Sequence, residues 1–363
     1  MLRLKSARRA CICWSVSLLC LFLLLPADPV TGKSWYIETD GTGDAFSISA
    51  GIDSSAAGDT VIVACGTYYE AQIYMKSGVV LMSESGEASC ATIDGDWTNT
   101  VLLCYSCDST TVIRGFTITH GVDTNGVPPG WAGGMVCNDS PIRVENCDFI
   151  NNGYVGLGGG VSCGYCSPHF RRCTFSSNSA SYGGGIFLNT ASPTIENCTF
   201  ASNEAGRGAG LCCGVGCDPA ILGCTFYGNV GLYGAGGIYC FELTMAIIQN
   251  TIIAYSPSGA AIVFEEEFLL PTLGCCNLYG NDGGDWVGLV VDQGGLYGNF
   301  SADPKFCDAG SGNFSLQDCS PCLPGYHPDG YDCGGIIGAF GSGCACESAA
   351  EPTTWGNIKR MYK

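Results

Sequence analysis

A short motif of the form Cys-x-apolar recurs through the middle of the chain at nearly constant spacing. Successive copies begin 25 or 26 residues apart, at Cys147, Cys173, Cys198, Cys224, Asn250 and Cys276. A unit of this length cannot bury an apolar side alone, whereas stacked units place like residues about 4.8 Å apart around one continuous core. The repeat therefore predicts a solenoid with coils of about 26 residues over 61–300.

Residues around each motif alternate between apolar and polar. The positions two after and three before the first residue are apolar, whereas the residue directly after it is polar. A period of two predicts a strand with its apolar side chains inward. The predicted inward columns are Phe149, Phe175, Phe200, Phe226, Ile252 and Leu278, and Val144, Phe170, Ile195, Ile221, Ile247 and Leu273.

A second strand follows a glycine cluster in each unit, as in AGGMVC, GGGVSC and GGGIFL. The units contain no stretch that would form a long amphipathic helix. Connections between parallel strands of one sheet are overwhelmingly right-handed. The sequence therefore predicts an all-β fold, a single-stranded right-handed parallel β-helix.

One column of polar residues and one column of small residues complete the predicted interior. Asparagine tolerates a left-handed bend, and stacked amides can hydrogen-bond along a ladder, whereas an inward cysteine packs as a small apolar residue. We predict structural ladders of Asn152, Asn178, Asn203 and Asn229, and of Cys147, Cys173, Cys198 and Cys224.

The two ends of the chain differ from the coils. Basic residues and an apolar run predict a signal peptide over 1–32, with a retained anchor as the alternative. We predict a strand and a helical cap over 33–60, with Phe46, Ile48 and Ile52 on the first coil. A closing segment over 301–346 holds six cysteines of open connectivity, and 347–363 is a short tail, either frayed or used for surface attachment.

Composition restricts the partners. The formal net charge is -18, and only 13% of residues are charged, which excludes nucleic acid because a phosphate backbone needs clustered Lys and Arg. We predict no transmembrane segment in the mature chain, a monomer, and a glycan or surface protein as partner. The pairs Cys104 with Cys107, Cys163 with Cys166 and Cys319 with Cys322 have CxxC spacing, for which packing or disulfides are a simpler interpretation than a zinc or redox site.

The repeats resemble a known family. FxxN combined with GG[AILV] is similar to the repeats of chlamydial polymorphic outer-membrane proteins, and the units look like secreted right-handed parallel β-helix proteins of the pectate-lyase-like superfamily. The opening segment GDTVIVACGTYYE and the stretch ATIDG also fit bacterial members. The resemblance implies the pectin lyase fold. It leaves activity open, because that scaffold hosts lyases, hydrolases, epimerases and non-catalytic adhesive proteins.

Two groups of charged residues are candidate ligand-binding faces. Arg143 and His169 share one outward column, and Arg171 and Arg172 form the basic pair beside it. A ladder of ion pairs between Arg171 and the glutamates of neighbouring coils is the simpler explanation of this face. The second group is Glu242 and Glu266, roughly one coil apart, which could share a Ca²⁺ ion or form a solvated face.

No catalytic residue, no resident metal and, apart from that Ca²⁺, no cofactor is predicted. The coils are short and even, whereas enzymes of this architecture build clefts from longer loops. We therefore predict an exported, non-catalytic protein, secreted or at the cell surface, that serves adhesion, glycan contact or envelope structure. The alternative is a carbohydrate-active enzyme, either a polysaccharide lyase or a glycoside hydrolase.

Overall fold

The computed structural model describes residues 32–123, 132–153, 156–265 and 271–346. Three parallel sheets of 10, 9 and 10 strands run along one cylinder, and a three-stranded sheet lies near the C-terminus. Successive coils pair in register within each sheet, which is the predicted right-handed parallel β-helix. Among the described residues, none of the helices has the length and apolar character needed to cross a membrane.

Each sheet collects one face of the coils. Sheet 1 consists of Ser34–Ile37, Thr60–Val63, Val80–Ser83, Val112–Arg114, Arg143–Glu145, His169–Arg171, Thr194–Glu196, Ala220–Leu222, Ile247–Gln249 and Thr272–Gly274. Sheet 2 consists of Gly66–Tyr69, Ala91–Asp94, Phe116–Thr119, Asp148–Ile150, Thr174–Ser176, Thr199–Ala201, Thr225–Tyr227, Ile252–Ala254 and Asn277–Tyr279. Sheet 3 consists of Ile73–Tyr74, Leu102–Tyr105, Met135–Asn138, Val161–Gly164, Ser179–Tyr182, Ile186–Asn189, Glu204–Arg207, Leu211–Cys213, Val230–Cys240 and Ser258–Phe264.

The predicted phenylalanine column forms a stack in the interior. Phe149 and Phe175 have ring centroids 5.1 Å apart, and the next two steps, to Phe200 and then Phe226, measure 4.8 and 4.4 Å. All four side chains are fully buried. The cysteine column beside them is also buried, which confirms both ladders as packing elements.

The asparagine column forms the predicted hydrogen-bonded ladder. The Nδ2 of Asn152 donates to the Oδ1 of Asn178 at 3.1 Å, and the same bond repeats to Asn203 and to Asn229 at 3.0 Å. Each Oδ1 also accepts from the backbone N–H of the preceding ladder residue at 3.0 Å. Buried amides that satisfy one another in this way fix the register of the coils.

The left-handed bend beside the ladder is carried by a different residue from the predicted one. Asn151, Ser177 and Ser202 have φ values of 55°, 54° and 54°, and each directly precedes a ladder asparagine. The prediction that the ladder residues make this bend is therefore wrong. At the bend before the cysteine column, however, Asn146 and Asn197 do adopt positive φ, at 51° and 52°.

The register of one coil also differs from the prediction. Ile248 and Ile253, not Ile247 and Ile252, align with the inward residues of the preceding coil. Ile247 is exposed, and Ile252 packs outside the cylinder against Ile337. The predicted motif start at Asn250 is therefore wrong by one residue, and such a slip moves every side chain to the opposite face.

A helix covers the N-terminal end of the cylinder. It spans Ile48–Ser54, and the hydroxyl of Ser47 caps it by accepting from the N–H of Ala50. Ile48 and Ile52 are fully buried against the first coils as predicted, but Phe46 is 79% exposed because it precedes the helix.

The C-terminal end is closed by a 3-10 helix, Gly288–Gln293, whose Val290 is buried in the core. Side-chain amides bind the polar groups of the last coil. The Oε1 of Gln293 accepts from the N–H of Leu273 at 3.1 Å, and the Oδ1 of Asn299 accepts from the N–H of Cys276 at 2.9 Å. These contacts protect a strand edge that would otherwise template another chain.

The cysteine-rich closing segment lies on the outer face of sheet 2. It contains the strands Phe306–Asp308, Asn313–Gln317 and Ser342–Cys344 and the 3-10 helix Ala309–Ser311. Its Phe306 and Phe314 rings pack on Tyr227, with centroids 5.7 and 5.2 Å away. Leu316 and Ile337 extend this outer apolar cluster, so the segment has a small core of its own on the side of the cylinder.

Four disulfides join neighbouring parts of the fold. They are Cys65–Cys90, Cys275–Cys333, Cys307–Cys344 and Cys319–Cys346. The sequence placed a disulfide framework among the six cysteines of the closing segment. Two of the bonds reach outside that set, because Cys65–Cys90 links two early coils and Cys275 belongs to the last coil, whereas Cys322 stays a buried thiol. The predicted signal peptide, apart from Gly32, and the tail over 347–363 lie outside the described residues.

Candidate functional site

Sheet 1 brings the predicted cationic residues together. Arg143 lies directly opposite His169, and Arg171 lies between Glu145 and Glu196 on neighbouring strands. The Nε2 of His169 is 3.1 Å from a Glu196 oxygen, and the Nε of Arg171 is 3.7 Å from the same oxygen. This face therefore contains one step of the ion ladder that the sequence suggested, from Arg171 to Glu196.

The carboxylate of Glu145 forms an ion pair with an arginine of the preceding coil. The Nη2 of Arg114 is 2.6 Å from the Glu145 carboxylate, and the Nε donates to the same oxygen at 2.9 Å. Both side chains are partly exposed, so the pair contributes about 1 kcal/mol or less to stability. The pair still fixes the position of the carboxylate and neutralises it.

Two shallow pockets follow the bend between sheets 1 and 2. One, of about 300 Å³, is lined by Arg114, Asn146, Arg171 and Arg172 among others. The other, of about 500 Å³, lies between Arg172 and Asn197 on one side and Phe340 of the closing segment on the other. The closing segment thus supplies one wall of a polar groove.

The predicted pair of glutamates is not brought together by described residues. Glu242 follows the long strand Val230–Cys240, whereas Glu266 lies outside the described residues. The neighbouring Glu265 instead approaches Arg207, with Nη1 at 3.5 Å, and accepts a hydrogen bond from the Tyr239 hydroxyl. The proposed Ca²⁺ at Glu242 and Glu266 stays a prediction.

A lateral extension of sheet 3 forms a second surface, which we call the flange. Ser179–Tyr182 pairs with Glu204–Arg207, which pairs in turn with the first part of Val230–Cys240. A pocket of about 360 Å³ lies there, lined by Tyr182, Arg207, Leu232 and Tyr233 among others. Tyr233 is 82% exposed, so its ring is available to a ligand.

Arg207 is held in place at this flange. Its guanidinium carbon lies 5.3 Å from the ring centroid of Tyr239 and 5.5 Å from that of Phe241. Cation–π contacts of this kind stabilise by about 0.5–2 kcal/mol. Burial, together with the hydrogen bond to Glu265, raises the pKa of Tyr239, so its hydroxyl stays protonated as a donor. The Arg207 guanidinium therefore has a position fixed by the protein itself.

Sequence reasoning missed the flange, because its strands lack the apolar alternation that marked the coils. It also missed a small group of side chains at the C-terminal ends of two neighbouring strands of sheet 2. The Nδ1 of His120 lies 3.1 Å from both oxygens of Asp94, and the Trp97 ring contacts His120 at a tilt of 34°, with centroids 4.9 Å apart. An alignment of ATIDG with the next coil would have paired Asp94 with Thr119. It would thus have placed His120, the residue after Thr119, close to Asp94.

The family match agrees with this architecture. Residues 68–206 and 99–288 match the family described as the right handed beta helix region, and together they span more than half of the chain. The chain therefore belongs to the right-handed β-helix family. No curated protein sequence matches it.

Solved structures similar to this chain include a pectate lyase and pectin methylesterases. The pectate lyase Pel9A is 13% identical, with a TM-score of 0.49 over 86% of this chain and 97% of that one. The pectin methylesterase PemA from Erwinia chrysanthemi is 12% identical, with a TM-score of 0.42 over 80% and 98%. The carrot pectin methylesterase is 11% identical, with a TM-score of 0.41 over 84% and 95%. At such low identities we transfer no activity, and the fold assignment rests on the family match and the strand register.

Proposed function

We propose that this protein is an exported, non-catalytic β-helix that binds a neutral glycan on the flange of sheet 3, in adhesion or at the cell envelope. The observation that carries the proposal is the exposed Tyr233 ring beside the fixed guanidinium of Arg207. A sugar presents both apolar C–H faces and hydroxyl groups. An aromatic ring and a rigid fork of N–H donors match these two features.

The charge of the flange favours a neutral ligand. Glu265 neutralises Arg207 at 3.5 Å, so the surface offers donors and acceptors without a net positive charge. The chain as a whole carries a formal charge of -18, which repels anionic polysaccharides in the absence of a bridging cation. A neutral glycan meets no such barrier.

Export is supported by two independent features. Basic residues precede an apolar run at the N-terminus, as in secretory signal peptides. Four disulfides join described residues, and disulfides persist mainly in oxidising compartments outside the cytosol. The proposed location is therefore extracellular or on the cell surface. We propose separately that the chain is a monomer.

A binding role is supported by the state of three carboxylates on the outer faces of sheets 1 and 3. A glycosidase needs two carboxyl groups flanking one bond, one as acid and one as base or nucleophile. Glu145, Glu196 and Glu265 each already bind a cationic side chain that holds and neutralises them. Such carboxylates serve the structure better than proton transfer.

The test is binding of neutral oligosaccharides on a glycan array, followed by calorimetry on the best ligand. We expect Tyr233→Ala and Arg207→Gln each to weaken binding about tenfold or more, since about 1.4 kcal/mol corresponds to that factor. Tyr69→Ala removes a similarly exposed ring, 74% accessible, on sheet 2 and should bind like the unmodified chain. Unchanged affinity of both flange variants would move the site elsewhere.

A carbohydrate-active enzyme is the second candidate, and one arrangement favours it. Asp94 orients His120, and a carboxylate-oriented imidazole beside an aromatic ring is a suitable general base. Incubation with polysaccharides should then release reducing ends or unsaturated uronates, and His120→Asn should abolish the release. Arg171→Ala tests the sheet 1 face in the same assay. Absence of product from all substrates, with intact glycan binding, supports the non-catalytic role.

A further inference from the structure

Three thiols meet inside the cylinder beneath sheet 3. Cys137 and Cys163 lie directly opposite each other on the strands Met135–Asn138 and Val161–Gly164, and Cys166 follows in the next bend. Their sulfur atoms all lie within 4.8 Å of one another, and the Cys137 and Cys166 sulfurs are 3.9 Å apart. Each of the three is buried and none is in a disulfide.

This cluster differs from the cysteine ladder at the bend between sheets 1 and 2. The ladder places one thiol per coil along a line, so sulfurs two coils apart are separated by roughly 10 Å. Cys198 there lies 3.4 Å from the Glu196 carbonyl oxygen, which accepts its hydrogen bond. A triangle of sulfurs, by contrast, arises only because the CxxC spacing returns Cys166 toward Cys163 and Cys137.

The three sulfurs are arranged to face one another. Cys137 and Cys163 are paired across neighbouring strands, and Cys166 approaches Cys137 from the bend. A thiolate is the form of cysteine that binds metal ions, and three sulfurs this close together can share one ion.

We propose that Cys137, Cys163 and Cys166 bind one Cu(I) ion. An ion about 2.3 Å from each of three sulfurs in a plane requires sulfur separations of about 4 Å, which is close to the spacing observed. Soft thiolate ligands select Cu(I) or zinc, and structural zinc takes four ligands. The cluster offers three among the residues that the structure describes. The ligand number therefore favours Cu(I) over zinc.

The site has a structural consequence. Because the sulfurs face the closed interior, the ion must enter while the coils assemble. It would then join two consecutive coils, at a position where no disulfide links them among the described residues. A bound ion should therefore stabilise the folded chain, because the unfolded chain has no preformed site.

The experiment uses the full chain, unfolded in guanidinium without a thiol reductant so that the disulfides survive. It is then refolded anaerobically with Cu(I) or, in a parallel arm, with Zn(II). Metal content is measured by mass spectrometry after removal of excess ion, and copper–sulfur bonds are measured by X-ray absorption. We expect one copper per chain, and at least a tenfold lower occupancy in Cys163→Ser and in Cys166→Ser.

Cys198→Ser is the matched control, because it removes an equally buried thiol from the ladder and should keep its copper. Circular dichroism establishes that each variant has refolded. Four results overturn the proposal: copper retained in Cys166→Ser, copper lost equally from Cys198→Ser, zinc bound in preference to copper, or a disulfide joining two of the three sulfurs.

Discussion

Between Cys147 and Cys276 the inner column holds cysteines as buried thiols, whereas between Cys307 and Cys346 the chain pairs most of them as disulfides. In the coils, each thiol packs between two neighbouring coils, which cover it on both sides. The closing segment has no repeat and only a small outer core around Leu316 and Ile337. Cysteine thus serves as an apolar filler where stacking supplies burial, and as a covalent link where it does not.

The first prediction tests the packing of the coils. Phe200→Ala removes the ring that stacks on both Phe175 and Phe226, and we expect a loss of about 3–5 kcal/mol in the free energy of unfolding. Denaturant titration followed by circular dichroism measures it. Phe46→Ala, which deletes an exposed ring, should leave the transition unchanged. Equal effects would contradict the assignment of stability to the inner stack.

The second prediction tests the covalent region. Removing Cys307–Cys344 as a double serine variant opens a link between residues 37 positions apart, and should destabilise the closing segment by about 2–4 kcal/mol. Hydrogen exchange should rise over 301–346 and stay slow in the coils. Faster exchange throughout the coils would mean that the two regions unfold together.

The third prediction concerns the polar ladder. Asn178→Ala leaves the buried N–H groups of Asn152 without an acceptor, which costs about 1–3 kcal/mol. The loss should appear in the same denaturant titration. Asn189→Ala, at a partly exposed position on sheet 3, provides the control. A ladder variant as stable as this control would show that the amides add nothing beyond volume.

The smallest expected effect is a pH dependence at Asp148. Burial raises the pKa of this carboxyl, a hydrogen bond with Thr174 opposes the shift, and the charge of Glu87 adds to it. The ionised form is therefore less favourable in the folded than in the unfolded chain. Asp148 lowers the free energy of unfolding at pH values above the pKa of the folded chain, and has no such effect at pH values below the pKa of the unfolded chain. Asp148→Asn should raise the melting temperature slightly at neutral pH, with the difference vanishing in acid.

The repeat was sufficient to predict the fold, the phenylalanine and cysteine columns and the asparagine ladder, because each coil imposes the same inward positions. It failed at Asn250, where Ile252 and Ile253 are both apolar. Both are also buried, one outward under the closing segment and one inward, so alternation no longer distinguishes the faces.

The site was harder to predict than the fold. The neighbours of Arg171 followed from the 26-residue register, but the flange depends on pairing between Ser179–Tyr182 and Glu204–Arg207, whose side chains carry no core pattern. The group of Asp94 and His120 lies in the first coils, where the repeated motif is absent. The positions of the flange and of this group are therefore set by pairing between distant strands rather than by a local sequence pattern.

The amide contacts of Gln293 and Asn299 make the C-terminal end of the cylinder independent of the number of coils before it. Because this end piece binds the backbone of the final coil through groups that any coil presents, whole coils inserted or deleted upstream of Ser179 would leave it intact, together with the packing of the closing segment on Tyr227 and Ile252. The length of the cylinder, and with it the distance between the flange and the N-terminal helix, can therefore vary in steps of one coil while the C-terminal end stays the same.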